Sequence, residues 1–418
     1  MHVYKFGGAS IVDANAIVNL KNILLNTKDG KKVVVISAMG KTTNALEDVL
    51  ENYIAKNEKY LTYLQEIREY HVMVTEELFD KSHPIKFKLF ALFDKIEAFC
   101  SNNTSTLYGY IYDQIIPVGE LASTMILSEY LNQEGLTNKW LDARELIQTD
   151  NHYTDAKINW EVTTKQISTS EIILNNELVI TQGFIASTKE KNTTTLGREG
   201  SDYSSAIFAN ALNAKKLIIW KDVKGVYNSD PNTYDAAIFI EKLSYREATE
   251  MTYYGAKVIH PKTIRPLQNK NIELEVRSFV DANTPGTIIL QSDEKIEYPP
   301  IIVQKENQVL LSFKTKDLSF TEVENLRTIL KSFNENRLKI NIIQTGAITL
   351  SVCVDNKHEK INQIKKELSP NFEIRFNTDL SLITIRHYDF YTLEKLLRNK
   401  NILLEQKTRE TLQILIKN

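Results

Sequence analysis

Cysteine is almost missing from this sequence. Cys100 and Cys353 are the only two in 418 residues, they lie far apart, and no second thiol or histidine stands at metal-ligand spacing beside either. A disulfide framework and a thiolate metal site are therefore excluded, and both read as small buried apolar side chains. Net charge is lacking too: a formal value of -2 provides no field to recruit nucleic acid or a membrane surface. No apolar run approaches the ~20 residues that span a bilayer, and Met1 leads into the strand-like Val3-Tyr4-Lys5-Phe6 instead of a signal peptide. The expected location is the cytoplasm. What is present, 42% hydrophobic and 25% charged residues, is the composition of a globular protein, and the length implies two or three domains.

Apolar runs alternate with helical spacing in the first part of the chain. A strand over 3–6, a helix over 14–25 and a strand over 33–37 have the order of an α/β fold. From 44 to about 100 the apolar residues recur at helical spacing, as at Leu46, Val49, Leu50, Tyr53 and Ile54, then Phe87, Phe90, Phe93 and Ile96. This predicts a long helical insert, read first as a hairpin packed on the core and second as a wall over a site or an oligomer contact. Further strands are predicted at 177–182, 216–220 and 272–278, with helices starting near Ser201 and Ser244. Charge and two prolines interrupt the pattern over 292–300 and mark a domain boundary. Beyond it the order is strand (309–315), helix (320–334), strands (339–345 and 348–354), helix (357–368) and strand (372–377), the βαββαβ ferredoxin-like arrangement. A shorter round follows, with strands at 380–385, 402–407 and 411–416 around a helix at 391–398.

With glycine at only 14 positions, paired glycines carry information. Gly7 and Gly8 follow the first strand and precede the first helix, so their amides can approach an anion and the helix start adds favourable partial charge, with Lys5 just before them. A tight strand-to-helix turn with an incidental lysine explains the same residues equally well. Gly40-Lys41-Thr42 ends like a P-loop, but that loop needs a glycine five residues earlier, where Val35 stands inside a strand. No GxGxxG opens a βαβ unit, which removes the usual argument for a dinucleotide site. The richest stretch, 193–212, feeds a glycine-bearing loop into a helix whose first turn carries Ser201 and Asp202. Arg198, between Gly197 and Gly200, can meet a carboxylate or phosphate in bidentate fashion, although a solvated arginine and a capping aspartate account for these residues as readily. Asp222 and Tyr227 follow a strand, where ligand-binding loops of α/β sheets lie. Lys257 and His260 read equally as a surface lysine and a capping histidine.

Taken together and in order, the segments 5–10 (KFGGAS), 37–44, 117–120 (PVGE), 193–202 (TTTLGREGSD), 220–231 and 255–261 resemble the aspartate kinases of the amino acid kinase superfamily, over roughly residues 3–290. The resemblance implies a carbamate kinase-like three-layer αβα sandwich with a mostly parallel sheet over 1–292. It further implies tandem ferredoxin-like ACT modules over 301–418, the second either truncated or nested with the first, the nested arrangement having the last strand complete the first module. The implied activity is transfer of the γ-phosphoryl group of MgATP to the side-chain carboxylate of L-aspartate (EC 2.7.2.4), giving 4-phospho-L-aspartate on the way to lysine, threonine and methionine. Position by position, Lys5, Gly7 and Gly8 match the residues that hold the moving phosphate, and Ser10, Lys221, Asp222, Tyr227, Lys257 and Val258 match those around ATP. Thr43, Glu120 and Arg198 match the amino-acid site, with Glu120 taking the α-ammonium and Arg198 a carboxylate. Ser37 and Ser201 match supporting hydroxyls, and Asp202 matches the residue that orients Lys5. A homodimer or higher homo-oligomer is implied through the ACT sheets, with lysine or threonine as the effector class.

Physical chemistry makes that assignment sensible. Two unit charges ~4 Å apart repel by roughly 4 kcal/mol at an effective dielectric of 20, so a carboxylate brought against a triphosphate needs cations such as Lys5, Lys257 and Mg²⁺. No general base is required, because the attacking carboxylate is already ionised at neutral pH. The mixed anhydride formed is prone to hydrolysis, which favours a water-excluding site. Several positions depart from the family pattern: Ala9 for threonine, Lys221 for threonine, Asn232 for arginine and Glu199 for glycine. The loop over 314–321 lacks the glycine expected where family members bind an effector, which counts against feedback inhibition. Two other readings stand beside the kinase. One is a related kinase acting on glutamate or N-acetylglutamate, though Glu120 has no charge to pair with in the acetylated substrate. The other is a non-catalytic amino-acid sensor built on the ACT tail, against which Lys5, Arg198 and Asp202 speak.

Overall fold

The computed structural model describes residues 1–27, 30–256, 259–292, 296–316 and 322–417. The chain divides into two units, the first made of Met1–Val226, Ile240–Thr249 and Val258–Ile296, the second of Tyr227–Phe239, Glu250–Lys257 and Glu297–Asn418. The second unit thus takes in two segments that a linear division at 292 leaves in the first.

The frame of the first unit is an eight-stranded sheet. In chain order its strands are β1 (His2–Phe6), β2 (Lys32–Ile36), β3 (Lys139–Leu141) and β4 (Leu178–Gln182). A small antiparallel pair, β5 (Ile185–Ser187) and β6 (Thr193–Thr195), comes next, before β7 (Lys216–Lys221), β8 (Lys242–Ser244), β9 (Glu273–Ser278) and β10 (Thr287–Leu290). The order across the large sheet is β3-β4-β2-β1-β7-β9-β10-β8, parallel throughout except for β9 against β10. Strands buried on both faces read as nearly unbroken apolar runs, which is why β1, β2 and β7 stand out in the sequence. At β1 the order reverses, with β2 on one side and β7 on the other. Such a switch point opens a crevice at the carboxyl ends of the strands, where α/β sheets bind their ligands.

The elements around that crevice differ from expectation in two respects. Gly8–Ile11 forms a short 3-10 turn, and the α-helix begins only at Ala14, capped by the Asp13 carboxylate, which accepts from the Ala16 amide at 2.8 Å. The amides beside Gly7 and Gly8 therefore belong to a four-residue turn and not to the start of a long helix, so the macrodipole argument does not apply to them. The helical insert is three helices, Thr42–Ile54, Lys59–Leu78 and Ile85–Asn102, instead of a hairpin. Leu46, Val49, Leu50, Phe93 and Ile96 are buried in it, whereas Phe87 and Phe90 face solvent. The helix Gly200–Ala211 packs against β1, β2 and β7, and most of its buried residues are serines and alanines, whose small size favours close approach. Among the described residues no helix is long and apolar enough to cross a membrane.

The second unit carries a six-stranded antiparallel sheet of β11 (Ile301–Thr315), β12 (Ile340–Thr345), β13 (Thr349–Asp355), β14 (Phe372–Arg386), β15 (Asn401–Lys407) and β16 (Thr411–Lys417), in the order β12-β13-β11-β14-β16-β15. Helices Val323–Glu335, His358–Leu368 and Phe390–Leu397 accompany it. β11 and β14 are 15 residues long and pass through both βαβ modules, where the sequence reading found only half of β11 and split β14 in two. The first module is complete with the later half of β11, β12, β13 and the earlier half of β14, around a core of Val309, Leu311, Phe313, Phe333, Val352 and Ile364. The expectation that the last strand completes it is reversed. β16 pairs with Leu380–Arg386 and with β15, and the residues from Ile301 to Lys305 supply the fourth strand of the second module.

Candidate active site

A buried ammonium on an apolar strand is costly unless it is paired. Lys5 lies on β1 in register with Val35 of β2 and Ile219 of β7, only 9% exposed. Its partner is Asp202, in the first turn of Gly200–Ala211, at 2.7 Å. Lys221, the last residue of β7, approaches the other Asp202 oxygen at 3.9 Å. Burial pushes the Asp202 pKa up, but the charges of Lys5 and Lys221 outweigh it and hold the carboxyl below its usual range. Asp202 is thus an anion that fixes two cations at the carboxyl ends of adjacent strands.

Across the same cleft, Glu120 opens the helix Val118–Gln133 and is 3% exposed. The helix can come this close because Gly119 precedes it; a Cβ there would stand 3.0 Å from Ala38 Cβ and 3.1 Å from Thr42 Cγ2. One Glu120 oxygen accepts from the Ala38 amide at 3.2 Å, while the other, Oε2, is buried without a hydrogen-bond partner. Burial raises the pKa of this carboxyl to about 8. A carboxylate placed in that position is incomplete until a cation reaches it.

Arg198 projects from the loop between β6 and Gly200–Ala211. The loop turns sharply at Gly197 (φ 74) and at Glu199 (φ 54), and a Cβ on Gly197 would stand 2.6 Å from an Asp155 oxygen. Arg198 is exposed and makes no hydrogen bond or ion pair among the described residues. Nearby, Gly183 lies so close to Ser201 that a Cβ would meet its Cβ at 2.5 Å, which sets the helix start against the end of β4.

One cleft of about 700 Å³ collects Lys5, Ser37, Thr43, Glu120, Arg198, Ser201, Asp202 and Lys221. Gly7 and Gly8 are not in its lining; Gly7 neighbours Lys5, whose Nζ lies 3.4 Å from where a Gly7 Cβ would stand, and Gly8 packs on the carbonyls of Ala38 and Gly40. Ser10 is buried, its hydroxyl without a partner, and does not line the cleft. Asp222 is exposed on the loop after β7, also away from the lining. Tyr227 falls in the second unit, with its ring edge-on to Phe239 at 5.7 Å. Lys257 and Val258 lie outside the described residues. His260 caps the helix Pro261–Gln268 by accepting from the Lys262 amide at 3.2 Å, the structural role its spacing allowed.

Four lining residues escaped the sequence reading: Tyr108, Tyr112, Thr154 and Phe184. Tyr112 donates to Glu47 at 3.0 Å, and burial followed by the Glu47 charge lifts its phenol well above the usual range. The next residue, Asp113, is fully buried and accepts from the amides of Thr154 and Thr195 and from the Thr195 hydroxyl, tying together the segments that flank Gly197. A tyrosine pair one helical turn apart just before the Glu120 segment was the available signal. Among the described residues no three His, Cys, Asp or Glu side chains converge as a metal cage. Both Asp202 oxygens already face lysines, so the donor set suits a divalent ion that arrives on nucleotide phosphates better than one held by protein alone.

Comparison with known proteins agrees with this geometry. The model of the amino acid kinase family matches residues 1–278. A bifunctional aspartokinase/homoserine dehydrogenase 2 of Arabidopsis thaliana is 32% identical over 78% of the chain, and the chain spans 35% of that longer protein. The lysine-sensitive aspartokinase 3 of Escherichia coli is 30% identical over 84% of the chain and 78% of its own length. A crystal structure of E. coli aspartokinase III in complex with aspartate and ADP superposes with a TM-score of 0.84 at 27% identity, covering 100% of this chain and 96% of the other. The chain therefore belongs to the amino acid kinase family, in its aspartokinase branch.

Proposed function

We propose that the chain is an ATP-dependent aspartate kinase, transferring the γ-phosphoryl group of MgATP to the side-chain carboxylate of L-aspartate. The observation that carries this reading is the pairing within one cleft of a fixed cation, Lys5 on Asp202, with a buried carboxylate, Glu120, whose second oxygen has no partner. An amino acid bearing two carboxylates and an ammonium complements both ends. Glu120 receives the ammonium, Arg198 binds a carboxylate with its fork, and Thr43, Ser37 and Ser201 offer hydroxyls. The remaining carboxylate then faces Lys5. The E. coli relative was crystallised with aspartate and ADP, in keeping with this division.

Lys5, with the amides of the Gly7–Gly8 turn, stabilises charge on the phosphoryl group in flight, and Asp202 keeps the ammonium aimed. Bound MgATP supplies the phosphoryl group and the divalent charge that offsets it. Ser10, Lys221, Asp222, Tyr227, Lys257 and Val258 are proposed for the nucleotide on the family pattern, Lys221 being the one that the cleft lining supports. We place the catalytic region at 1–292 and a tandem ACT regulatory and self-association region at 301–418. The edge strands β12 and β15 are open to pairing, and Ile402 and Leu403 on β15 are exposed. Part of the loop proposed for effector recognition, 317–321, lies outside the described residues.

The test is acyl-phosphate trapping by hydroxylamine with aspartate, glutamate and N-acetylglutamate in parallel. Aspartate hydroxamate formed in an ATP- and Mg²⁺-dependent manner supports the proposal. Turnover of glutamate alone points to the sister activity, and silence with all three, together with lysine or threonine binding, points to a sensor.

A further inference from the structure

Of the helical insert only Thr43, in the first turn of its first helix, enters the chemistry proposed above, yet a side chain of its second helix reaches the phosphate turn. Tyr70, on Lys59–Leu78, donates its hydroxyl to the Val12 carbonyl at 2.5 Å. Val12 closes the 3-10 turn that starts at Gly8. The same hydroxyl lies 2.7 Å from where a Cβ on Gly40 would stand, and Gly40 has a φ of 55, so that position needs glycine on both counts. Gly40 in turn donates its amide to the Gly8 carbonyl at 3.1 Å. A Cβ on Gly8 would meet the Ala38 and Gly40 carbonyl oxygens, each at 2.7 Å. The turn after β1, the turn after β2 and the insert therefore converge on one phenol. Its ring is half-buried and held edge-on to His71 at 5.2 Å, and His71 packs on Phe93 at 5.3 Å, so the hydroxyl is delivered from the insert's own core.

We infer that Tyr70 is a positioning residue for phosphoryl transfer, its hydroxyl clamping the Gly8–Ile11 turn against the Gly40 turn so that the turn's amides hold their aim. A four-residue 3-10 turn has little hydrogen bonding of its own to fix it; here Ser10 donates to Gly7 at 3.0 Å. Donors that stabilise charge in a transition state work only when held within about 0.5 Å of their productive place, usually by a second layer of contacts. Tyr70 supplies such a contact from the second helix of the insert, Lys59–Leu78. The insert thereby acquires a mechanical role in the reaction.

This inference rests on the kinase reading, and the experiment separates the two. Tyr70→Phe removes the hydroxyl and keeps the ring. Its kcat, KM for aspartate and melting temperature are measured beside the wild type, together with binding of ADP alone and of ADP with aluminium fluoride, a mimic of the phosphoryl group in flight. The expected result is a kcat lowered about three- to tenfold, the size of one neutral hydrogen bond, with KM for aspartate unchanged. Binding of the fluoride complex should weaken by a similar factor while ADP binding and melting temperature hold. A kcat equal to wild type overturns the inference, as does a variant whose ADP binding and melting temperature fall together with kcat, since that describes a structural role only. A wild type that forms no acyl phosphate overturns the kinase reading itself and the inference with it, whereas activity that survives Lys5→Met leaves the kinase reading standing and overturns the placing of the phosphoryl group at Lys5 and the Gly8 turn, and the inference with that.

Discussion

Glu120 makes aspartate binding a proton-release reaction. Burial holds its pKa at about 8 in the ligand-free protein, against 4.5 for the ordinary side chain, so at pH 7 about one carboxyl in ten is ionised. An ammonium resting on Oε2 requires the ionised form and fills the one oxygen left without a partner. Each unit of pH between 6 and about 7.5 should therefore tighten aspartate roughly tenfold, or ~1.4 kcal/mol, with the dependence flattening above pH 8. Close to one proton should leave per aspartate bound at pH 7. Calorimetric titration of aspartate into the ADP-saturated protein, in two buffers of different ionisation enthalpy, measures both quantities. Stability of the free protein runs the opposite way. The folded pKa exceeds the unfolded one, so between pH 4.5 and 8 the native state holds the extra proton and loses stability as pH rises. Glu120→Gln should abolish the proton release, flatten the melting temperature against pH, and weaken aspartate by one to two orders of magnitude at pH 8, on the ~1.5–3 kcal/mol scale of a hydrogen bond to a charged group. Tight binding at pH 7 without proton release, or a Gln variant with the wild-type slope, would refute the reasoning.

Three further outcomes follow from other residues. Lys5→Met leaves Asp202 buried with Lys221, at 3.9 Å, as its remaining ion-pair partner among the described residues, and should destabilise by about 3 kcal/mol, the low end for a broken buried pair. The double variant Lys5→Met with Asp202→Asn should recover much of the melting temperature but stay at least about 100-fold less active; purely additive losses in melting temperature argue against the coupling. Gly8→Ala must push its Cβ into two carbonyl oxygens at 2.7 Å, so kcat should fall by about two orders of magnitude while far-UV circular dichroism stays native-like; an active Ala variant would show that the turn has slack. Glu199 sits in the left-handed region at φ 54, where a side chain costs ~1 kcal/mol. Glu199→Gly should therefore melt above Glu199→Ala, and equal melting temperatures would remove the claim of strain.

What the sequence revealed and what it hid follow from burial. β1, β2, β4 and β7 are legible because strands covered on both faces carry continuous apolar runs. β3, β8 and β10, three or four residues each, are too short for any periodicity to register. β11 was read only in its later half and β14 was split in two because each is exposed in its middle, at Glu306 and Asn307 in one and from Phe376 to Asp379 in the other, so a continuous strand imitates a turn. The Lys5, Glu120 and Arg198 constellation was legible only as an ordered set of motifs, since each is ambiguous alone. Tyr70 left no local mark and Tyr112 only its spacing from Tyr108, because a hydroxyl that meets a partner 58 or 65 positions away depends on tertiary packing. The left-handed Glu199 shows the converse case: a residue whose local preference opposes its backbone, at the edge of the proposed site, as expected where function overrides propensity.

The shared long strands also set an order of assembly. The stretch from Ile301 to Lys305 pairs with residues as far on as Arg386, so during synthesis it leaves the ribosome ~80 residues ahead of its partner, a wait of roughly 4–16 seconds at ordinary translation rates. Through that interval a bare strand edge hangs from the nascent chain, and a stop codon anywhere before β14 would leave both modules short of a strand.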